Sequence, residues 1–220
     1  VSTSGGGELN ALLYLVMLAC SLRAGRELLR DDAGHPLRMP TLGAAVLWLT
    51  VAVPSLLQIP FGGLLRELQR DPELIRHDGQ LWRLVTSGVV QDGGIAGTVF
   101  NLAVLAVIGV LADRVWATVR AASIFLVALV AFNLAATFAS PEVGAGNSGA
   151  TFALGTSMIG LALAVRRERV VMILAGLTML DGIALLALRD AHGEVVVGGL
   201  LIGLGLGVVL PPREIASPTT

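Results

Sequence analysis

Residues 143–165 read VGAGNSGATFALGTSMIGLALAV, with no charged side chain anywhere in the run. A helix of roughly 20 apolar residues crosses the hydrocarbon core of a bilayer. The stretch therefore reads as a membrane span that opens on a glycine-rich turn. Working outward, charges punctuate the chain so that other spans can be marked off. Met39–Leu65, Gly93–Ala112, Ala121–Pro141 and Val195–Pro212 are also uncharged. Val170–Leu188 has the length of a span but holds Asp181, and Leu9–Leu22 is apolar but short. The expected fold is all-α: a polytopic membrane bundle of six core helices plus one amino-terminal helix. Strands are excluded because no alternating pattern is visible and lipid offers no partner for an open sheet edge.

Composition agrees. Of 220 residues, 55% are hydrophobic and only 14% charged, against about a quarter charged in soluble domains. A net charge of −1 disfavours a nucleic-acid partner, which needs a basic excess. The single cysteine, Cys20, excludes an internal disulfide or a cysteine metal site. All 15 basic residues are arginine. Arg23, Arg26 and Arg30 follow Leu9–Leu22 rather than precede it, so this segment reads as a retained helix and not a cleaved signal. The division expected is a disordered tail over 1–8, the extra helix and a cytoplasmic loop over 9–38, the six-helix domain over 39–212, and a cytoplasmic tail over 213–220.

Arginines also set orientation. If Thr41–Leu57 runs from cytoplasm to exterior, then Arg23, Arg26, Arg30, Arg38, Arg114, Arg120, Arg166, Arg167, Arg169 and Arg213 are cytoplasmic. Arg66, Arg70, Arg76, Arg83 and Arg189 are outside. This arrangement obeys the positive-inside rule and places the carboxyl terminus in the cytoplasm of a plasma-membrane protein. The long external loop, residues 62–96, mixes leucines with charges. It is expected to lie in the interface as short amphipathic helices, with Trp82 at headgroup depth.

Chemistry concentrates at the external helix heads. Gly146-Asn147-Ser148-Gly149 stands where a helix begins, and its glycines permit a tight loop and close backbone approach. A helix amino terminus presents amides to developing negative charge, so Ser148 reads as nucleophile and oxyanion donor. A simple helix cap by Asn147 or Ser148 is the competing reading. A serine nucleophile needs a base, and of the histidines His35, His77 and His192 only the last stands at the external mouth of a span. No acidic third member is evident, so packing is expected to orient the ring. Asn101, in the outer half of its span, reads as an oxyanion donor or as interhelical glue. Gly199 and Gly203, spaced at four, let the last helix approach a neighbour closely. Asp181 is protonated, faces a water cavity, or marks an early end to its helix.

Together these pieces resemble the rhomboid family of intramembrane serine proteases, over roughly Pro40 to Leu210. Gly79-Gln80-Leu81-Trp82-Arg83 looks like the family's Trp-Arg motif in its long first loop. Asn101 follows in the next helix, Gly146-Asn147-Ser148-Gly149 matches Gly-x-Ser-Gly, and His192 heads the last helix before glycines. The resemblance implies a Ser148–His192 dyad open to the exterior, with transmembrane protein segments as substrates, the bilayer as its setting and no cofactor or metal. The family's two further histidines are replaced by Gln91 and Gly97. Its histidine also precedes glycines by three and seven residues. From His192 only Gly199 fits, at seven, whereas counting back from Gly199 and Gly203 lands on Val196. The two registers differ by one helical turn, about 6 Å. They separate an active protease from an inactive rhomboid-like protein that binds transmembrane clients.

Overall fold

The computed structural model describes residues 7–30, 40–166 and 168–212. Residues 1–6 of the expected amino-terminal tail, the carboxyl-terminal tail with Arg213, the loop bearing His35 and Arg38, and Arg167 lie outside the described residues; Glu8, assigned to the tail, begins α1. Among the described residues seven apolar helices make the bundle: α1 (Glu8–Leu28), α2 (Leu42–Leu57), then α6 (Gly94–Trp116), α7 (Thr118–Phe138), α8 (Ser148–Val165), α9 (Arg169–Ala187) and α10 (His192–Val209). Between α2 and α6 lie three short helices, α3 (Gly63–Leu68), α4 (Pro72–His77) and α5 (Arg83–Thr86). Six of the seven are long and apolar enough to cross a membrane; α2, at 16 residues, falls short of that length. The protein is a multi-pass, all-α membrane bundle.

The far end of α1 differs from the sequence reading. α1 does not stop at Leu22 but continues through Arg23 and Glu27. Those two side chains pair with each other, and Arg30 bonds to Glu27 and to Glu168 at the start of α9. Paired charges at the end of a helix need not end it, which is why charge counting made the segment short. α9 likewise runs past Asp181 to Ala187, so the carboxyl marks no early end. Asp181 is 4% exposed, and neither of its oxygens has a hydrogen-bond partner among the described residues.

α8 is the axis of the bundle. Glycine, alanine, serine and threonine fill much of it, and its interior is buried from Gly149 to Ala162. Small side chains let neighbours close on it from several sides. α10 packs against it most extensively, and α1, α7 and α6 also lie on it. The α8–α10 contact is nearly backbone to backbone. A Cβ on Gly203 would stand 1.9 Å from the Ser157 carbonyl oxygen, and one on Gly199 would stand 2.4 Å from that of Ala153. From the other helix, a Cβ on Gly160 would meet the Leu200 carbonyl oxygen at 2.0 Å.

The loop after α2 folds over the Ser148 end of the bundle as short helices, as its mixed pattern predicted. Trp82 is 55% exposed, while Arg83 is buried. The Arg83 guanidinium donates to the carbonyls of Arg66 and Gln69 at 3.0 and 2.8 Å, and to Gln80 at 2.7 Å. A buried arginine satisfied by backbone carbonyls fixes the turns of a loop that has little core of its own. Arg70, also buried, ties this loop to the segment before α8. It donates to Glu142 O and Asn133 Oδ1, and its backbone pairs with that of Gly144.

Candidate active site

The site is assembled at the heads of α8 and α10. Gly146 has φ +146°, a conformation that L side chains rarely adopt, and it turns the chain into α8. A Cβ on Gly149 would touch the Phe132 ring at 3.0 Å, so this second glycine lets α8 begin tight against α7. No side chain caps α8. Asn147, buried, instead accepts from Gln91 and donates to Thr151 Oγ1 at 2.8 Å. The simple-cap reading is therefore displaced, and the Ser148 hydroxyl turns elsewhere. Its Oγ lies 2.8 Å from His192 Nε2.

The glycine register explains that meeting. Gly199 faces Ala153 and Thr156, Gly203 faces Ser157, and Gly207 faces Leu161 and Ala164. The helices run side by side in the same direction, and continuing this pairing up to their heads sets His192 beside Ser148. Val196, the position reached by counting back from two glycines, is buried against Gly182 of α9. His192 is only 2% exposed and is packed among Tyr14, Phe132 and Phe152, with ring centroids 5.2–5.5 Å away.

Packing is not all that orients the ring. The expectation that no acidic group takes part is corrected here: Asp190 Oδ1 lies 2.8 Å from His192 Nδ1 and also accepts the His192 backbone N–H at 2.9 Å. Its other oxygen accepts from Tyr14 Oη at 2.5 Å and Asn10 Nδ2 at 2.7 Å. Asp190 is 2% exposed. Burial by itself would raise its pKa. The hydrogen bond and charge of His192, the Tyr14 hydroxyl and the His192 amide outweigh burial and hold it at about 2. An ionised carboxylate at Nδ1 keeps the proton on that nitrogen and leaves Nε2 as the acceptor facing Ser148.

Asn101, from α6, approaches from the opposite side. Its Nδ2 donates to Gln91 Oε1 at 2.8 Å and would lie 3.6 Å from a Cβ on Gly146. Gln91 donates onward to Asn147 Oδ1 and to Ser55 of α2, so it links three helices around the site. Beside Asn101, a Cβ at Gly97 would meet nothing within 4 Å. The space opens into a cavity of about 400 Å³, lined from α1 by Ala11, Tyr14 and Leu15, from the start of α6 by Gly97, Phe100 and Asn101, and by Ser148 and His192. His77 stays apart, exposed beside Glu73.

The family model described as Rhomboid domain matches residues 78–213, which run from before the Trp82-Arg83 pair to beyond the end of α10. The chain belongs to the rhomboid family. This is a family, in general, of intramembrane serine proteases. No curated protein matches the chain. In this rhomboid the structure brings Ser148, His192 and Asn101 to one cavity, and it lays Gly199 and Gly203 against α8. Trp82 and Arg83 lie in the overlying loop, away from the cavity lining. Sequence reasoning missed Asp190, Tyr14 and Asn10, and it named Gln91 as a replaced histidine without its linking role. An aspartate two residues before a helical run carries a capping signal. Asn10 and Tyr14 are polar residues four apart in an apolar helix, which marks a face turned inward.

Proposed function

We propose that this rhomboid is a serine endopeptidase that cleaves transmembrane segments of other membrane proteins from the exterior side of the plasma membrane. The reading rests on one observation above all: a serine hydroxyl 2.8 Å from an imidazole nitrogen whose opposite nitrogen faces a buried carboxylate. In the proposed reaction His192 Nε2 takes the Ser148 proton as Oγ attacks a peptide carbonyl. The imidazolium so formed is stabilised by Asp190 and then protonates the departing amine. Water, deprotonated by the same nitrogen, releases the acyl group from Ser148. The oxyanion is held by the Ser148 N–H, uncapped at the helix head, and by Asn101 after its amide turns from Gln91.

The missing histidine at Gly97 leaves room rather than a donor, so Asn101 is the side-chain contribution to that hole. The cavity walls are helices, and a substrate helix must unwind near its outer end to present a carbonyl to Ser148. The carboxyl terminus is cytoplasmic in this reading, as the arginine distribution requires. The test is cleavage of a model transmembrane substrate co-reconstituted in liposomes. Wild type is expected to cut it near the external end of its span, and Ser148→Ala to cut nothing. Undiminished cutting by Ser148→Ala would end the proposal. Client binding by wild type without any cutting would favour the inactive, client-binding alternative.

A further inference from the structure

Asp190 carries more than the contact with His192. A buried carboxylate is costly unless every lone pair is engaged, and this one is engaged from two directions. Oδ1 takes the ring and backbone N–H groups of His192; Oδ2 takes the Tyr14 hydroxyl and the Asn10 amide. Asn10 and Tyr14 are one helical turn apart on α1, so both reach the same oxygen. α1 lies outside the residues matched by the Rhomboid domain, 78–213. It packs on α8 and α9 and touches α6, and Tyr14 also stacks on Phe152 at a centroid distance of 5.0 Å.

We infer that Asn10 and Tyr14 of α1 are positioning residues of the active site, holding the Asp190 carboxylate so that it sets the orientation and tautomer of His192. The inference deepens the protease reading and rests on it for its consequence in catalysis. Its physical content is orientation. With both donors on Oδ2 the carboxylate is held with Oδ1 against His192 Nδ1, which keeps the proton on that nitrogen. Removing either donor leaves Oδ2 buried with one partner fewer, and the carboxylate free to rotate out of line. The Tyr14 hydroxyl also lies 3.1 Å from His192 Nδ1, so it steadies the ring directly as well as through Asp190. The polar groups facing His192 are Ser148 from α8, Tyr14 from α1 and Asp190 beside it. α7 presents the Phe132 ring.

The experiment uses the protein in lipid nanodiscs with nitrogen-15-labelled histidine rings, and reads which ring nitrogen of His192 carries the proton by NMR in wild type, Tyr14→Phe and Asn10→Leu. Tyr14→Phe keeps the aromatic contacts with Phe152 and His192, and Asn10→Leu keeps the branched shape while removing the donor. Wild type is expected to hold the proton on Nδ1, and each variant to show a mixture of the Nδ1–H and Nε2–H forms. In cleavage assays each is expected to lower kcat about tenfold with little change in KM. A ring held as Nδ1–H in both variants, as in wild type, would overturn the inference, even if activity fell, because a merely structural role predicts that pattern. A tautomer mixture in the variants of a protein that cleaves nothing would leave the brace standing and remove the protease reading.

Discussion

At the scale of single residues, the proposed chemistry turns on whether the imidazole nitrogen facing Ser148 is free to accept a proton. The Asp190 carboxylate fixes this, so Asp190→Asn is expected to permit the wrong tautomer and lower kcat by about 10²–10⁴, measured on a transmembrane substrate. Asn101→Ala is expected to cost about 10²–10³ in kcat with little effect on KM, because its amide bonds most strongly to the developing oxyanion. Asp190 also makes a pH prediction. Its folded pKa of about 2 lies below the ordinary aspartate value of about 3.9. Its contribution to stability is therefore present above about pH 4 and lost as pH falls toward about 2, which acid denaturation of Asp190→Asn against wild type would detect as a flatter acid limb. Ser148 and His192 were legible in the sequence as candidates because helix heads and nearby glycines advertise themselves locally, and Asn101 because a carboxamide inside an apolar span stands out. Asp190 was not read because a polar residue between two spans looks like any solvated loop residue. The partners of Asn10 and Tyr14 lie 180 and 176 residues away, and no local pattern names them.

At the scale of elements, the register of α10 on α8 decides whether His192 meets Ser148. That register is set by glycines without room for a side chain, not by the spacing between histidine and glycine. Gly203→Ala is expected to push α10 from α8, because the new methyl would stand 1.9 Å from the Ser157 carbonyl oxygen. A loss of about 1–3 kcal/mol follows from such overpacking, read as a lowered thermal midpoint in detergent together with loss of cleavage. Gly97→Ala is the contrasting case: its methyl enters open space, and stability should hold within about 1 kcal/mol. The spans themselves were legible from uncharged runs, and the small-residue pair at 199 and 203 announced a close helix contact. The true length of α1 was not, since Arg23 and Glu27 look like a boundary until their pairing is seen. Nor did the two counting registers at His192 resolve from sequence, because they differ by a single turn that only the facing helix can choose.

At the scale of the whole molecule, the proposed function makes α1 part of the catalytic assembly rather than an appendage to a six-helix core. It contributes both a wall of the cavity and two donors to Asp190. Orientation in the membrane is a separate expectation, carried by the arginines. Cys20 is buried, so introduced cysteines can be read with an impermeant maleimide on intact cells. Glu73→Cys, in the loop over the site, should be labelled from outside, and Val119→Cys, in the first turn of α7, only after permeabilisation; the opposite pattern would invert the topology. The most direct measurement of the central claim is the reaction of the purified wild-type protein with a fluorophosphonate, followed by mass mapping of the adduct. A single adduct on Ser148, abolished in His192→Ala, is the predicted result. A wild-type protein whose Ser148 stays unmodified under conditions that label a control serine hydrolase would contradict it.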